Sequence, residues 1–341
     1  MNPPGAFTVR ARRWSIVVRV RPLLTALGVV LALVVACATS VAVGNGRTTG
    51  WRAVEALFGG GDFAAFQIVH VLRMPRFVAG LVAGAALGIA GCLIQTLARN
   101  RLATPDLVGV NDGATVGVLL TVLGSASGAI GAWWAGPIGA MVAAALVVAL
   151  AGGLGTTGYR VLVVGIGLSV AIDAITELIL AKQDIDSARS LYTWTLGNLN
   201  GRDYDVALPV AAGLAVVLPV ALIAARRLNL LRFGDDTATT LGVSVTRVRL
   251  LALIAAVLLA GLAVGVGGPI AFVAMAAPVI ASRVAGDGGV PILVAGLLGG
   301  LLVVVADTIG RAVGDVELPV GVLTSVLGGP FLLWVLLSRK V

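Results

Sequence analysis

Residues 250–267 read L-L-A-L-I-A-A-V-L-L-A-G-L-A-V-G-V-G. No charged or hydroxyl side chain interrupts the run. Wound as an α-helix at about 1.5 Å per residue it is about 27 Å long, close to the roughly 30 Å hydrocarbon thickness of a bilayer. Transmembrane strands would instead alternate apolar and polar residues over segments of about ten, and this run does not. The segment therefore predicts a helix in lipid.

Nine further segments follow the same rule. The ten expected spans are residues 22–43, 77–98, 105–123, 133–151, 161–181, 206–225, 250–267, 269–284, 290–306 and 319–337. Span 269–284 is short, and spans 105–123 and 290–306 carry Gly or acidic residues. Such segments are tolerated where protein or a cavity covers the backbone. Across the 341 residues only 12% are charged, against about a quarter in soluble domains, and mean hydropathy is +1.05. Glycine numbers 46, a bias that suits close packing between membrane helices. The expected fold is all-α: a polytopic transmembrane bundle of residues 22–341, preceded by a tail at 1–21.

Charge gives the bundle an orientation. Five arginines, Arg10 to Arg21, precede the first span, which is too long for a signal peptide and lacks a following cleavage site. With the N-terminus inside, 16 of the 24 basic residues fall on the cytoplasmic side and 8 outside. This matches the positive-inside rule and puts both termini in the cytoplasm. The basic residues sit in short loops between apolar runs, which excludes a nucleic-acid-binding face. Two connections are long: residues 44–76 outside and 226–249 inside, the latter polar enough for a short helix or two.

Several side chains invite a functional reading. Gly80, Gly84 and Gly88 form a small-residue stripe, the mark of close helix packing. Arg73 and Arg76 bracket Met74-Pro75; the proline biases Met74 towards an extended shape and fixes two guanidinium groups at the outer surface, suited to carboxylates on a soluble partner. Asp307 and Arg311 are four apart, so Arg311 either pairs locally or joins the outer arginines. Asp173 and Glu177 share one face of span five, where acids cost about 2.5–3.5 kcal/mol each at the helix centre. His70 is alone in the long outer connection, with no cluster of metal ligands around it. Gly167-Leu168-Ser169 is a short match to intramembrane serine proteases, but that chemistry needs a histidine beside the serine. Cys37 and Cys92 lie in apolar runs as packing residues. No G-x-x-x-x-G-K-[ST] is present, so ATP, if used, binds another polypeptide.

Seven strings then occur in order: L-R-M-P-R at 72–76, G-A-A-L-G-I-A-G-C-L-I-Q at 84–95, A-R-N-R-L-A-T-P-D-L-V-G-V-N-D-G-A at 98–114, L-Y-T-W-T-L-G-N-L-N-G at 191–201, G-D-D-T-A-T-T-L-G-V-S-V-T-R-V-R-L at 234–250, G-G-P-I-A-F-V-A-M-A-A-P at 267–278, and A-D-T-I-G-R…E-L-P-V-G-V-L-T-S-V-L-G-G-P at 306–330. Together they resemble the FecCD family of ATP-binding-cassette importer permeases of bacterial cytoplasmic membranes, from about residue 68 to the C-terminus. The resemblance implies a ten-helix subunit paired with a second permease, identical or paralogous, on two ATPase subunits that use ATP. An external substrate-binding protein delivers a ferric siderophore or similar metal chelate. This chain itself would bind no cofactor and catalyse no reaction. By resemblance, Arg73, Arg76 and Arg311 meet acidic residues of the binding protein. Gly234, Ala238, Leu241 and Gly242 couple to the ATPase, and Asn100 and Leu102 lie at the cytoplasmic gate. The G-D-D-T-A and W-T-L-G-N-L-N-G strings look most like the enterobactin branch, favouring a catecholate chelate. The chain departs from the family pattern at Arg101, where R-N-P-L is common, and at Val279, where a histidine commonly follows the proline. The competing expectation is a secondary carrier that uses Asp173 and Glu177 as proton sites.

Overall fold

The computed structural model describes residues 6–11, 14–44, 48–123, 131–153, 158–286, 289–313 and 317–337. Ten long helices fall on the ten expected spans: α1 (Val20–Ala42), α2 (Met74–Ala98), α3 (Val110–Leu123), α4 (Ala135–Ala151), α5 (Gly158–Ala181), α6 (Tyr204–Leu231), α7 (Val245–Gly267), α8 (Val273–Ala285), α9 (Ile292–Ala312) and α10 (Val320–Leu337). Among the described residues, six helical stretches are long and apolar enough to cross a bilayer unaided; α3, α4, α8 and α10 are the shorter apolar ones.

Helices α2 and α7 form the centre. Both are apolar on every side, as a helix enclosed by others must be. Helix α2 packs against α9, α7, α8 and α6, and α7 against α2, α6, α4 and α3. Helices α1, α5 and α6 lie at the rim. Helix α1 turns Leu23, Leu24, Leu27, Leu31, Val34 and Val35 outwards, an apolar face that only lipid or another subunit satisfies.

The structure differs from the expectations at four places. In the tail, Ala6–Ala11 and Trp14–Arg19 pair as antiparallel strands β1 and β2, with Val9 opposite Ile16 and Thr8 opposite Val17. The bundle that follows is all-α, as expected. The 44–76 connection holds helices at Trp51–Leu57 and Phe63–Gln67, then a wider π-helical turn at Ile68–Arg73. The 226–249 connection is shorter than expected, because α6 runs to Leu231 and α7 starts at Val245; between them lies one short helix, Asp235–Thr240. Met74 is helical (φ −66°, ψ −44°), not extended. Pro75 sits in the first turn of α2, where its missing N–H is no loss, and the π turn sends the Met74 N–H back to the Val69 carbonyl.

Candidate functional site

Polar side chains gather at two opposite ends of the bundle. At the first end, the start of α2 and the end of α9 bring Arg73, Arg76, Asp307 and Arg311 together, each less than a tenth exposed. Arg76 grips Asp307 with two nitrogens, Nε at 3.1 Å and Nη2 at 2.9 Å, and reaches Glu317 through Nη1 at 2.8 Å. Arg311 Nε lies 3.2 Å from Asp307 Oδ2, an ion pair by distance whose geometry makes no hydrogen bond. Its other nitrogens donate to Ser40 Oγ (2.8 Å), the Ser40 carbonyl (3.0 Å) and the Val43 carbonyl (3.1 Å). Arg73 donates to the Val41 carbonyl. Two guanidinium groups thus cap the carbonyls that α1 leaves unpaired at its C-terminus, where a cation is also favoured by the helix dipole.

This arrangement was only half expected. Arg311 does pair with Asp307, and it stands beside Arg73 and Arg76 as well. All three are turned into the protein instead of being presented on its surface. Asp307 is the common partner of two arginines, and Ser40 joins them from α1, far from α9 along the chain, so that no local pattern signals it. Glu317 is the exposed member of the group.

The stripe on α2 faces α9 and α8. A Cβ on Gly84 would run into the Gly299 carbonyl, one on Gly88 into the Ala295 carbonyl, and one on Gly91 into the Ala274 carbonyl. Gly80 is roomier: its added Cβ would meet Leu199 Cδ1 at 3.0 Å.

At the other end, α2 stops at Arg99, whose φ of 51° is left-handed, and the chain turns through Asn100, Arg101 and Leu102. Asn100 Oδ1 accepts the Leu102 N–H at 2.9 Å, which fixes the turn. Asp235 opens the short helix and takes Arg249 at 2.8 Å and Arg99 at 3.3 Å, while Arg99 also donates to the Leu231 carbonyl at 2.9 Å. Gly234 (φ 103°) and Gly242 (φ 78°) bound that helix with conformations unsuited to other residues, although neither is crowded. Ala238 is buried beneath it and Leu241 is exposed. A cavity of about 340 Å³ lies behind, lined by Arg99, Arg101, Arg232 and Arg249 and floored by Cys92, Gln95 and Pro278.

The remaining candidates stand apart from both ends. Asp173 and Glu177 are exposed on α5. His70 bonds the Ala56 carbonyl and stacks on Phe66, so it does not serve Ser169. Among the described residues no three His, Cys, Asp or Glu side chains gather where a metal ion could sit.

The bundle thus carries polar clusters at its two ends, joined by apolar helices. The profile of the FecCD transport family matches residues 32–338. The chain belongs to the FecCD transport family. It is 36% identical over 323 residues to the ferric enterobactin transport system permease protein FepG of Escherichia coli (strain K12), covering 94% of this chain and 98% of that protein. It is 35% identical over 321 residues to FepD of the same organism, again described as a ferric enterobactin permease, covering 92% and 94%. A solved chain of an inward-facing metal-chelate type ABC transporter superposes with a TM-score of 0.79 at 23% identity, over 92% of this chain and 99% of that one, a likeness of fold. As a FecCD permease, the protein is the membrane subunit of an ABC-type metal-chelate importer, and it carries no nucleotide-binding motif of its own.

Proposed function

We propose that the chain carries a ferric siderophore, of catecholate type, inwards across the bacterial cytoplasmic membrane. Both termini face the cytoplasm, so the arginine end faces out and the Asp235–Thr240 end faces in. A binding protein delivers the chelate to the outer end. Two ATPase subunits grip the inner one, and a second permease completes the passage. The catecholate class rests on the likeness to FepG and FepD of Escherichia coli, both ferric enterobactin permeases.

The observation that carries this reading is the inner helix. Leu241 is presented to solvent on a turn braced by Ala238 beneath and by the Arg99–Asp235–Arg249 bridge behind. A push on that helix is thereby passed to the ends of α2 and α7, the two central helices, with Asn100 and Leu102 beside them. Gly234 and Gly242 hold its shape.

At the outer end, Arg73 is the docking arginine without a carboxylate partner among the described residues, while Arg76 and Arg311 share Asp307. All three are buried, so docking would require them to turn outwards: Arg73 would leave the Val41 carbonyl, and Arg76 and Arg311 would leave Asp307 and Glu317 for the partner's acids.

The test is reconstituted uptake with the ATPase and binding protein. Leu241→Glu should abolish ATP-dependent uptake while the chain stays folded, and Arg73→Glu should weaken binding-protein affinity. Uptake that runs on a proton gradient without the ATPase overturns the reading. Intact uptake and affinity in Arg73→Glu remove the docking role alone.

A further inference from the structure

A second concavity, of about 460 Å³, lies beside the arginine-lined cavity at the same end of the bundle, and Pro291 lines both. Its walls come from four elements: Pro22, Leu23 and Ala26 of α1, Leu222 and Ala225 of α6, the chain after α8, and the start of α9. The walls are apolar, but the mouth is not. Arg226 and Asn229 stand there on α6. Arg226 is exposed and has no ion pair among the described residues. Asn229 uses its Oδ1 to hold the Val290 N–H at 3.1 Å, which leaves its amide nitrogen as a donor. Arg21 lies at the edge: its Nε and Nη2 donate to the Val284 and Arg283 carbonyls at 3.1 and 3.2 Å, and a Cβ added to the lining residue Gly286 would meet its Nη1 at 3.1 Å. Among the described residues no carboxylate lines the groove; Asp287 lies outside them.

An apolar slot beside a rim helix, with two guanidinium groups and an amide donor at one end, matches one occupant by shape and charge. Acyl chain would fill the slot between α1, α6 and α9. A phosphate would sit at the mouth, at the depth where α1 begins and the membrane surface must lie. Basic pockets between membrane helices bind anionic head groups in this way. We propose that this groove is a binding site for one anionic phospholipid, which fastens α1 to α6 and α9.

The alternative occupants differ in what they predict. A zwitterionic lipid needs no guanidinium, and a free phosphate needs no slot. The experiment is native mass spectrometry of the purified full-length chain released from nanodiscs of equimolar phosphatidylglycerol and phosphatidylcholine. Wild type should retain one phosphatidylglycerol in preference to phosphatidylcholine, by about fivefold for each engaged guanidinium, since a basic residue near the surface contributes that much. Arg226→Gln should lower the preference about fivefold. Ala26→Trp, which fills the slot but leaves the charges, should lose the retained lipid altogether. The idea is overturned by a wild type without headgroup preference, by retention in Ala26→Trp, or by inorganic phosphate at millimolar concentration displacing the lipid. Lipid retention is read without any transport, so it stands or falls separately from the importer reading.

Discussion

Asp307 is the residue on which the arginine end turns. It is buried and meets two buried arginines, whereas Glu317, which meets one of them, is 42% exposed at its side chain. Breaking a buried ion pair from one side leaves the partner's charge uncompensated, at a cost of about 3–5 kcal/mol. An exposed pair contributes about 0–1 kcal/mol. Asp307→Asn should therefore lower the thermal unfolding midpoint of the solubilised chain sharply, while Glu317→Gln barely moves it. Equal losses in the two variants would mean that Asp307 is not the hub. Only part of this was legible in the sequence. The i, i+4 spacing of Asp307 and Arg311 pointed to their pairing, and the hydropathy of α2 and α9 put Arg76 near the same surface. Nothing local brings residue 76 to residue 307, or Ser40 to Arg311, because those contacts are created by the packing of helices far apart in the chain.

Helices were the most readable scale and their ends the least. Hydrophobicity marks where a chain meets lipid, and that located all ten spans. It does not mark where hydrogen bonding stops, so α6 and α9 continue past their apolar stretches and the π turn before Met74 was invisible. The seam between α2 and α9 shows the same contrast: spacing identified the small residues, and only the packing ranks them. Gly88→Ala would press a methyl group onto the Ala295 carbonyl, a backbone atom that cannot step aside, and should cost about 1–3 kcal/mol or prevent folding. Gly80→Ala meets the flexible end of Leu199 and should be tolerated within about 1 kcal/mol. Expression of folded protein and its unfolding midpoint distinguish the two. The short helix Ile185–Thr195 adds a pH-dependent element. Its N-cap, Asp184, accepts the Ser187 N–H at 2.9 Å, and this backbone hydrogen bond holds its carboxyl below the usual aspartate range. A depressed acid stabilises the fold above its unfolded pKa and loses that contribution as pH falls through the folded value. Amide protection at Ser187 should thus be constant down to about pH 4 and fall below it. In Asp184→Asn the protection should show no such step.

The single chain leaves one face unexplained, and it decides what surrounds the molecule. Ile166, Val170, Asp173, Ala174 and Glu177 follow one another along the exposed side of α5. Their helical spacing makes them a single stripe. Against lipid, the two carboxylates would cost about 2.5–3.5 kcal/mol each at the helix centre, with no gain to offset it. Helix α1 exposes Leu23, Leu24, Leu27, Leu31, Val34 and Val35, an apolar stretch that bears no such cost. The two rim helices should therefore meet different surroundings, lipid at α1 and water or a second permease at α5. Single cysteines test this in a Cys37→Ala, Cys92→Ala background, because a charged methanethiosulfonate reacts with a thiolate, which forms where water reaches. Val170→Cys and Ala174→Cys should either label with the reagent or cross-link to a second copy, and Leu31→Cys on α1 should do neither. Should all three stay inert, α5 faces lipid with its acids protonated or drawn to the surface, and the passage must run elsewhere. Should Ala174→Cys label only until the ATPase traps ATP, the stripe lines a passage that closes during the cycle. A proton carrier built on Asp173 and Glu177 would show no such dependence on nucleotide.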